Sequence, residues 1–248
     1  MIHPEIVDHI LSFLRPDFNS LETCSTLFPH LVDRHLYSHL SLHIPINLNE
    51  PNKAEEVFYY SLNLSDFVHR INQRSRILLS VQNLQVIIND HLLTPEHLPV
   101  ISFLLPNFSK LRSIHLQAWG YFVLGPYLSA ALQKCFRSPL ITEVAISDIG
   151  PFPLDLLNNC QNLEKLVLKG LFTDVSTSSY PPLSSLEIDM PASNKSPTHL
   201  PKIGSWMNSR TLQSLSLHIL QDIDLQPMIE ACSPTLITLE LELGPDGE

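Results

Sequence analysis

Asn158-Asn159-Cys160-Gln161-Asn162-Leu163-Glu164-Lys165-Leu166-Val167-Leu168 is the stretch on which the fold turns. Leu166 and Leu168 stand two apart, so in a strand they share one face, while Lys165, Val167 and Lys169 take the other. Leu163 lies three residues earlier, where the chain must bend into that strand. One such frame is weak evidence, but it recurs at Leu111/Ile114/Leu116, Ile141/Val144/Ile146, Leu183/Leu186/Ile188, Leu212/Leu215/Leu217 and Leu236/Leu239/Leu241, with a poorer copy at Val81/Leu84/Val86. Successive first positions step by 30, 30, 22, 20, 29 and 24 residues, each close to one strand plus one return segment.

The frame L-x-x-L-x-L at a period of roughly 20 to 29 residues is the signature of leucine-rich repeats. The fold class expected is therefore α/β: a solenoid of irregular leucine-rich repeats over residues 43–248, preceded by three helices in residues 1–42. Residues 97–108, 127–136 and 154–160 read as return helices of successive repeats. The region 51–80 reads as helical, with Val57, Phe58, Leu62, Phe67, Val68 and Ile71 as core positions and Asn63-Leu64-Ser65-Asp66 as a possible break. Residues 173–180 and 191–201 lack any period and read as loops. The last strand, Leu239-Glu240-Leu241-Glu242-Leu243, has no capping element behind it, so the sequence points to a shortened chain, a frayed end or a partner covering it.

Composition narrows the function classes. Of 248 residues, 44% are apolar and 16% charged, enough for a substantial core and unlike a disordered chain. Twenty prolines against seven glycines favour short, stiff connections. The formal net charge of −10 argues against a nucleic-acid binder, which needs a basic face, and against docking on an anionic membrane. No apolar run approaches the roughly 18 residues that span a bilayer, and the N-terminus lacks the pattern of a signal peptide. Cys24, Cys135, Cys160 and Cys232 are scattered among apolar neighbours, which favours buried thiols in a reducing intracellular compartment, cytoplasm or nucleus.

At the N-terminus, Ile6, Val7, Ile10, Leu11 and Leu14 fall along one helical face, Pro4 suits a first turn, and Arg15-Pro16 ends the helix. Asn19 and Glu22 resemble a capping box for a second helix to about residue 27. A third helix over 29–36 gives way to Leu40, Leu42 and Ile44 in strict alternation.

Ile2-His3-Pro4-Glu5-Ile6-Val7-Asp8-His9-Ile10-Leu11-Ser12-Phe13-Leu14 resembles the opening of an F-box, and Leu21-Glu22-Thr23-Cys24-Ser25 resembles its second helix. Arg34-His35-Leu36-Tyr37-Ser38-His39-Leu40-Ser41-Leu42 resembles the exit into the first strand. With the frames that follow, the chain resembles the F-box-like leucine-rich repeat proteins of mushroom-forming (basidiomycete) fungi. It departs from that family in carrying Leu27-Phe28-Pro29-His30-Leu31 where a Val-Cys-Arg-x-Trp stretch is usual, and His3 where proline is preferred. The resemblance implies a substrate-recognition subunit of an SCF-type ubiquitin ligase. Pro4, Ile6, Ile10, Leu14 and Leu21 would meet a Skp-family adaptor, and a protein substrate would lie on the repeats. The alternative is an interaction scaffold that no longer binds the adaptor.

The residues themselves offer no catalytic motif: no phosphate loop, H-E-x-x-H or G-x-S-x-G occurs, so no enzyme, metal or cofactor is expected. His35, His39 and His43 step by four but straddle a helix and a strand, which is no ligand set. Asp148, Asp155 and Asp174 read as caps or solvated loop ends. Outward strand positions give the expected substrate contacts, Lys165, Lys169, Glu187, Asp189, Glu240 and Glu242. Their acidic bias at the C-terminal end would favour a partner with basic residues. Trp119, Tyr121 and Trp206 read as packing between repeats before they read as anchors of an interface.

Overall fold

The structure, a computed structural model, describes residues 4–13, 18–24, 28–44, 59–89, 96–173, 182–190, 211–219 and 226–243. Three helices open it: α1 (Pro4–Phe13), α2 (Phe18–Cys24) and α3 (Pro29–Leu36). Strands β1 (His39–Ile44) and β2 (Tyr60–Asn63) follow, then α4 (Leu64–Gln73), β3 (Asn83–Asn89), α5 (His97–Leu104), β4 (Ser113–Phe122), α6 (Pro126–Cys135) and β5 (Glu143–Ile149). Beyond these lie the short β6 (Phe152–Pro153), β7 (Lys165–Lys169), the short β8 (Phe172–Thr173), β9 (Ser185–Met190), β10 (Ser214–Ile219) and β11 (Thr238–Leu243). The last helix is Gln226–Cys232, and 3-10 turns at Ser75–Leu79, Leu105–Asn107 and Leu154–Asn159 fill out the returns.

Alternation builds the sheet. Leu84, Ile114, Val144, Leu166, Leu186, Leu215 and Leu239 pair laterally in one row, and Val86, Leu116, Ile146, Leu168, Ile188, Leu217 and Leu241 in the next. All of them except Leu239 and Leu241 are buried. A recurring hydrogen-bond pattern locks this register: one carbonyl just before each strand accepts two consecutive N–H groups from its neighbour. Ser38 accepts from Gln82 and Asn83, Gln82 from Arg112 and Ser113, Arg112 from Thr142 and Glu143, and Thr142 from Glu164 and Lys165. Glu164, Ser184 and Gln213 continue the series to β11. Each of these carbonyls uses both lone pairs, so slipping one strand by a residue would break two bonds and turn every leucine outward.

The expected leucine-rich repeat solenoid with an N-terminal three-helix module is not what forms. Among the described residues the fold is α/β on a nine-stranded, all-parallel sheet with few helices, in the order β11-β10-β9-β7-β5-β4-β3-β1-β2, beside a two-stranded parallel sheet of β6 and β8. In a solenoid each strand stacks on the one before it. Here β2 lies outside β1, and the chain then crosses back to place β3 on the other side of β1. That single reversal of strand order is a feature of Rossmann-type, doubly wound sheets. Nor are α1–α3 separate: Val7, Leu11, Leu21, Val32 and Leu36 share one core with the strand leucines. The buried carboxylate of Asp33 in α3 bonds Arg74 (3.3 Å) and Arg76 (3.0 Å) beyond α4. The expected boundary between residues 42 and 43 falls inside β1.

Local expectations fared differently. The helices at 4–13 and 29–36 form, as do α5 and α6, whereas 154–159 is a 3-10 turn. Tyr60–Asn63, expected to be helical, is a strand, because Asn63 caps α4: its Oδ1 accepts from the Asp66 N–H at 2.7 Å, and its Nδ2 donates to the Asp66 carboxylate at 2.7 Å. Val57, Phe58 and both expected loops, apart from Thr173 in β8, lie outside the described residues.

Candidate functional site

Two surfaces and one cavity are candidates. On α1, Val7 and Leu11 face the core, which leaves the next ridge of the helix, Ile6 and Ile10, 55% and 51% exposed beside Glu5 and His9. Residues four apart stack on one helix face, so the two isoleucines form a continuous apolar strip. The set expected to meet an adaptor is thereby divided. Pro4 opens α1. Leu21 is 0% exposed and belongs to the core, because the short α2 turns that side chain inward as it packs against α3. Leu14 lies outside the described residues.

The second surface is the sheet face opposite the leucine rows. Lateral register sorts it into three rows: His39-Asn83-Ser113-Glu143-Lys165-Ser185-Ser214-Thr238, then Ser61-Ser41-Gln85-His115-Ala145-Val167-Glu187-Ser216-Glu240, then Asn63-His43-Ile87-Gln117-Ser147-Lys169-Asp189-His218-Glu242. The half near β1 is almost neutral and internally bonded. Ser41 donates to Gln85 Oε1 (2.9 Å), His43 Nε2 meets the Ser61 hydroxyl (2.6 Å), and His115 Nε2 meets that of Ser147 (3.3 Å). Burial holds His43 below the usual imidazole range; burial, and then the Lys169 charge, do the same for His115.

The other half is charged. Lys165 pairs with Glu143 at 2.7 Å and Lys169 with Glu187 at 2.9 Å; that bond to Glu187 raises the Lys169 pKa. Asp189 lies laterally next to Lys169, whereas Glu240 and Glu242 stand two strands farther on. His218 Nδ1 meets the Glu242 carboxylate at 2.7 Å. Of the expected contacts, then, the structure gathers Lys169, Glu187 and Asp189, gives Lys165 to a partner of its own, and sets Glu240 and Glu242 on the edge strand. On β9, β10 and β11 this face carries four carboxylates and neither lysine nor arginine.

The cavity, of about 260 Å³, lies between α2, α3 and α4 and is lined by Glu22, Leu36, Tyr37, His69, Arg70, Gln73, Arg74 and Ile77. Arg70 contacts Glu22 (2.8 Å), donates to the Tyr37 hydroxyl (3.2 Å) and lies 5.7 Å from the centre of the Tyr60 ring. Burial raises the pKa of both tyrosines. Sequence reasoning missed this cluster because its members are far apart in the chain. Its cations already have carboxylate partners and no acid–base pair converges there, so it ties the N-terminal helices to α4.

Among the described residues no three His, Cys, Asp or Glu side chains gather where a metal could bind, and no helix is long and apolar enough to cross a membrane. Trp119 is exposed within β4. Trp206 lies outside the described residues. No family model, curated protein or solved structure matches this chain.

Proposed function

We propose that this chain is a non-catalytic, intracellular recruiting subunit of an SCF-type ubiquitin ligase, docking a Skp-family adaptor through α1 and a protein substrate on the charged half of the sheet. The observation that carries this reading is the Ile6/Ile10 strip: two large β-branched side chains on the first helix, left in water although Val7 and Leu11 next to them are buried. Monomeric surfaces scatter exposed apolar residues singly, and a paired strip on a short helix suits helix-in-groove docking. The F-box resemblance of residues 2–14 supplies the adaptor class. Such a subunit acts by proximity, raising the effective concentration of its substrate near the ligase's catalytic parts.

A second reading, an interaction scaffold without the adaptor, draws on the burial of Leu21 and on the sharing of one core between α1–α3 and the sheet. A pull-down separates the two. Purified chain retains a Skp-family adaptor and the Ile6→Asp/Ile10→Asp variant does not; a folded wild-type chain that retains none leaves the scaffold.

A further inference from the structure

We propose that the surface where β4 and β5 begin docks a short acidic segment of a protein partner, one that carries bulky apolar residues among its carboxylates. This goes beyond adaptor docking and substrate capture and uses a different part of the molecule. Residues 97–142 hold Lys110, Arg112, Lys134 and Arg137 and not one aspartate or glutamate, in a chain whose formal net charge is −10. The fold gathers these four cations. Lys110 and Arg112 stand in the turn before β4, Lys134 near the end of α6, and Arg137 just beyond it before β5. The two turns have the same form, the Leu111 N–H donating to the Phe108 carbonyl and the Ile141 N–H to that of Ser138. They lie side by side, because the Arg112 carbonyl accepts from Thr142 and Glu143. All four cationic residues are exposed, and none meets a carboxylate among the described residues. Arg70, Arg74, Arg76, Lys165 and Lys169, by contrast, are each paired with one.

The helix dipole accounts for Lys134 and Arg137 at the C-terminal end of α6. It does not account for Lys110 and Arg112, which precede a strand. Exposed leucines flank the group: Leu140 (42%) precedes β5 and Leu79 (50%) precedes β3, with β4 between them. Two strand spacings, roughly 10 Å, separate these flanks, so a short segment spans them. Guanidinium groups pair with carboxylates through parallel N–H···O bonds, and the leucines add apolar contact that a phosphate backbone would leave unused. Nucleic acid is further disfavoured because only four cations gather here and Glu164, whose N–H donates to the Thr142 carbonyl, closes the patch on the far side of β5. A protein segment that mixes carboxylates with apolar side chains matches both components.

Fluorescence anisotropy with labelled, terminally blocked hexapeptides at physiological salt tests the proposal on the wild-type chain. A peptide of glutamates and two leucines binds saturably. Glutamine in place of every glutamate weakens binding about tenfold or more, and serine in place of both leucines about threefold or more. The Lys110→Ser/Arg112→Ser variant, with its fold checked by circular dichroism, also binds about tenfold more weakly. Lys165→Ser/Lys169→Ser, which removes the same charge elsewhere, stays within about twofold of wild type. Equal losses in these two variants would reduce the effect to bulk charge and overturn the proposal. Failure of the glutamate–leucine peptide to bind would overturn it too, as would tighter binding of a single-stranded oligonucleotide or of anionic lipid vesicles. Self-association in sedimentation that Lys110→Ser/Arg112→Ser abolishes would make the occupant a second copy of the chain and likewise overturn it. Ile6→Asp/Ile10→Asp leaves the peptide affinity unchanged, which separates this site from adaptor docking.

Discussion

Replacing Asp33 with alanine measures how firmly the N-terminal helices are built into the sheet. The carboxylate is 1% exposed and accepts from Arg74 Nη1 at 3.3 Å and Arg76 Nε at 3.0 Å. Hydrogen bonds to charged groups contribute roughly 1.5–3 kcal/mol each, so two of them amount to about 3–6 kcal/mol before any relaxation. The arginine side chains are 36% exposed and regain water once the carboxylate is gone, which brings the expected loss to the lower end, about 3 kcal/mol. For a chain of this size that is a fall of roughly 6–12 °C in Tm. The reverse change, Arg74→Met with Arg76→Met, leaves a buried carboxylate without these two partners and costs more than Asp33→Ala. Urea unfolding followed by circular dichroism reads both, and the wild-type chain unfolds in one transition because its helices and strands share one core. A loss under about 1 kcal/mol for Asp33→Ala, or a separate early transition of the helices, would mean that the Asp33 bonds do not tie the helices to the sheet.

Acid should weaken the fold through His43 and His115. Both are held below their ordinary value of 6.5 in the folded chain, so the unfolded chain takes up the extra protons; their contribution is full above that value and is lost as pH falls below it. Urea midpoints between pH 7.5 and 5.5 should therefore fall more steeply for wild type than for His43→Gln/His115→Gln, and parallel slopes would contradict the assignment. The thiols of Cys135 and Cys160 are buried and pushed up to about 12, so at pH 8 iodoacetamide should modify the half-buried Cys24 first and reach these two only at the rate of unfolding. Mass spectrometry of the labelled peptides checks the order.

Much of the strand content was legible because a period of two with buried leucines leaves few alternatives: Leu166 and Leu168, and their counterparts in β3, β4, β5, β9 and β10, lie where the frame puts them. The order of strands was not. Nothing local in Tyr60-Ser61-Leu62-Asn63 says that it pairs outside β1, and a repeating frame invites the assumption that every strand follows its predecessor. That choice rests on lateral contacts between Leu40 and Tyr60 and between Leu42 and Leu62. Helical periodicity likewise could not tell Ile10, left in water, from Leu11, buried beside it, nor reveal that the short α2 turns Leu21 inward. Charges on the sheet were readable as outward positions. Their pairings, Lys165 with Glu143 and Lys169 with Glu187, depend on which strands are neighbours and so appear only in the structure.

Calorimetric titration of the chain with a purified Skp-family adaptor decides whether the Ile6/Ile10 strip docks it. The expected result is saturable binding by the wild-type chain that Ile6→Asp/Ile10→Asp abolishes while the unfolding midpoint stays close to wild type, since both side chains are exposed. Equal binding by the variant, or no binding by a folded wild-type chain, would contradict it.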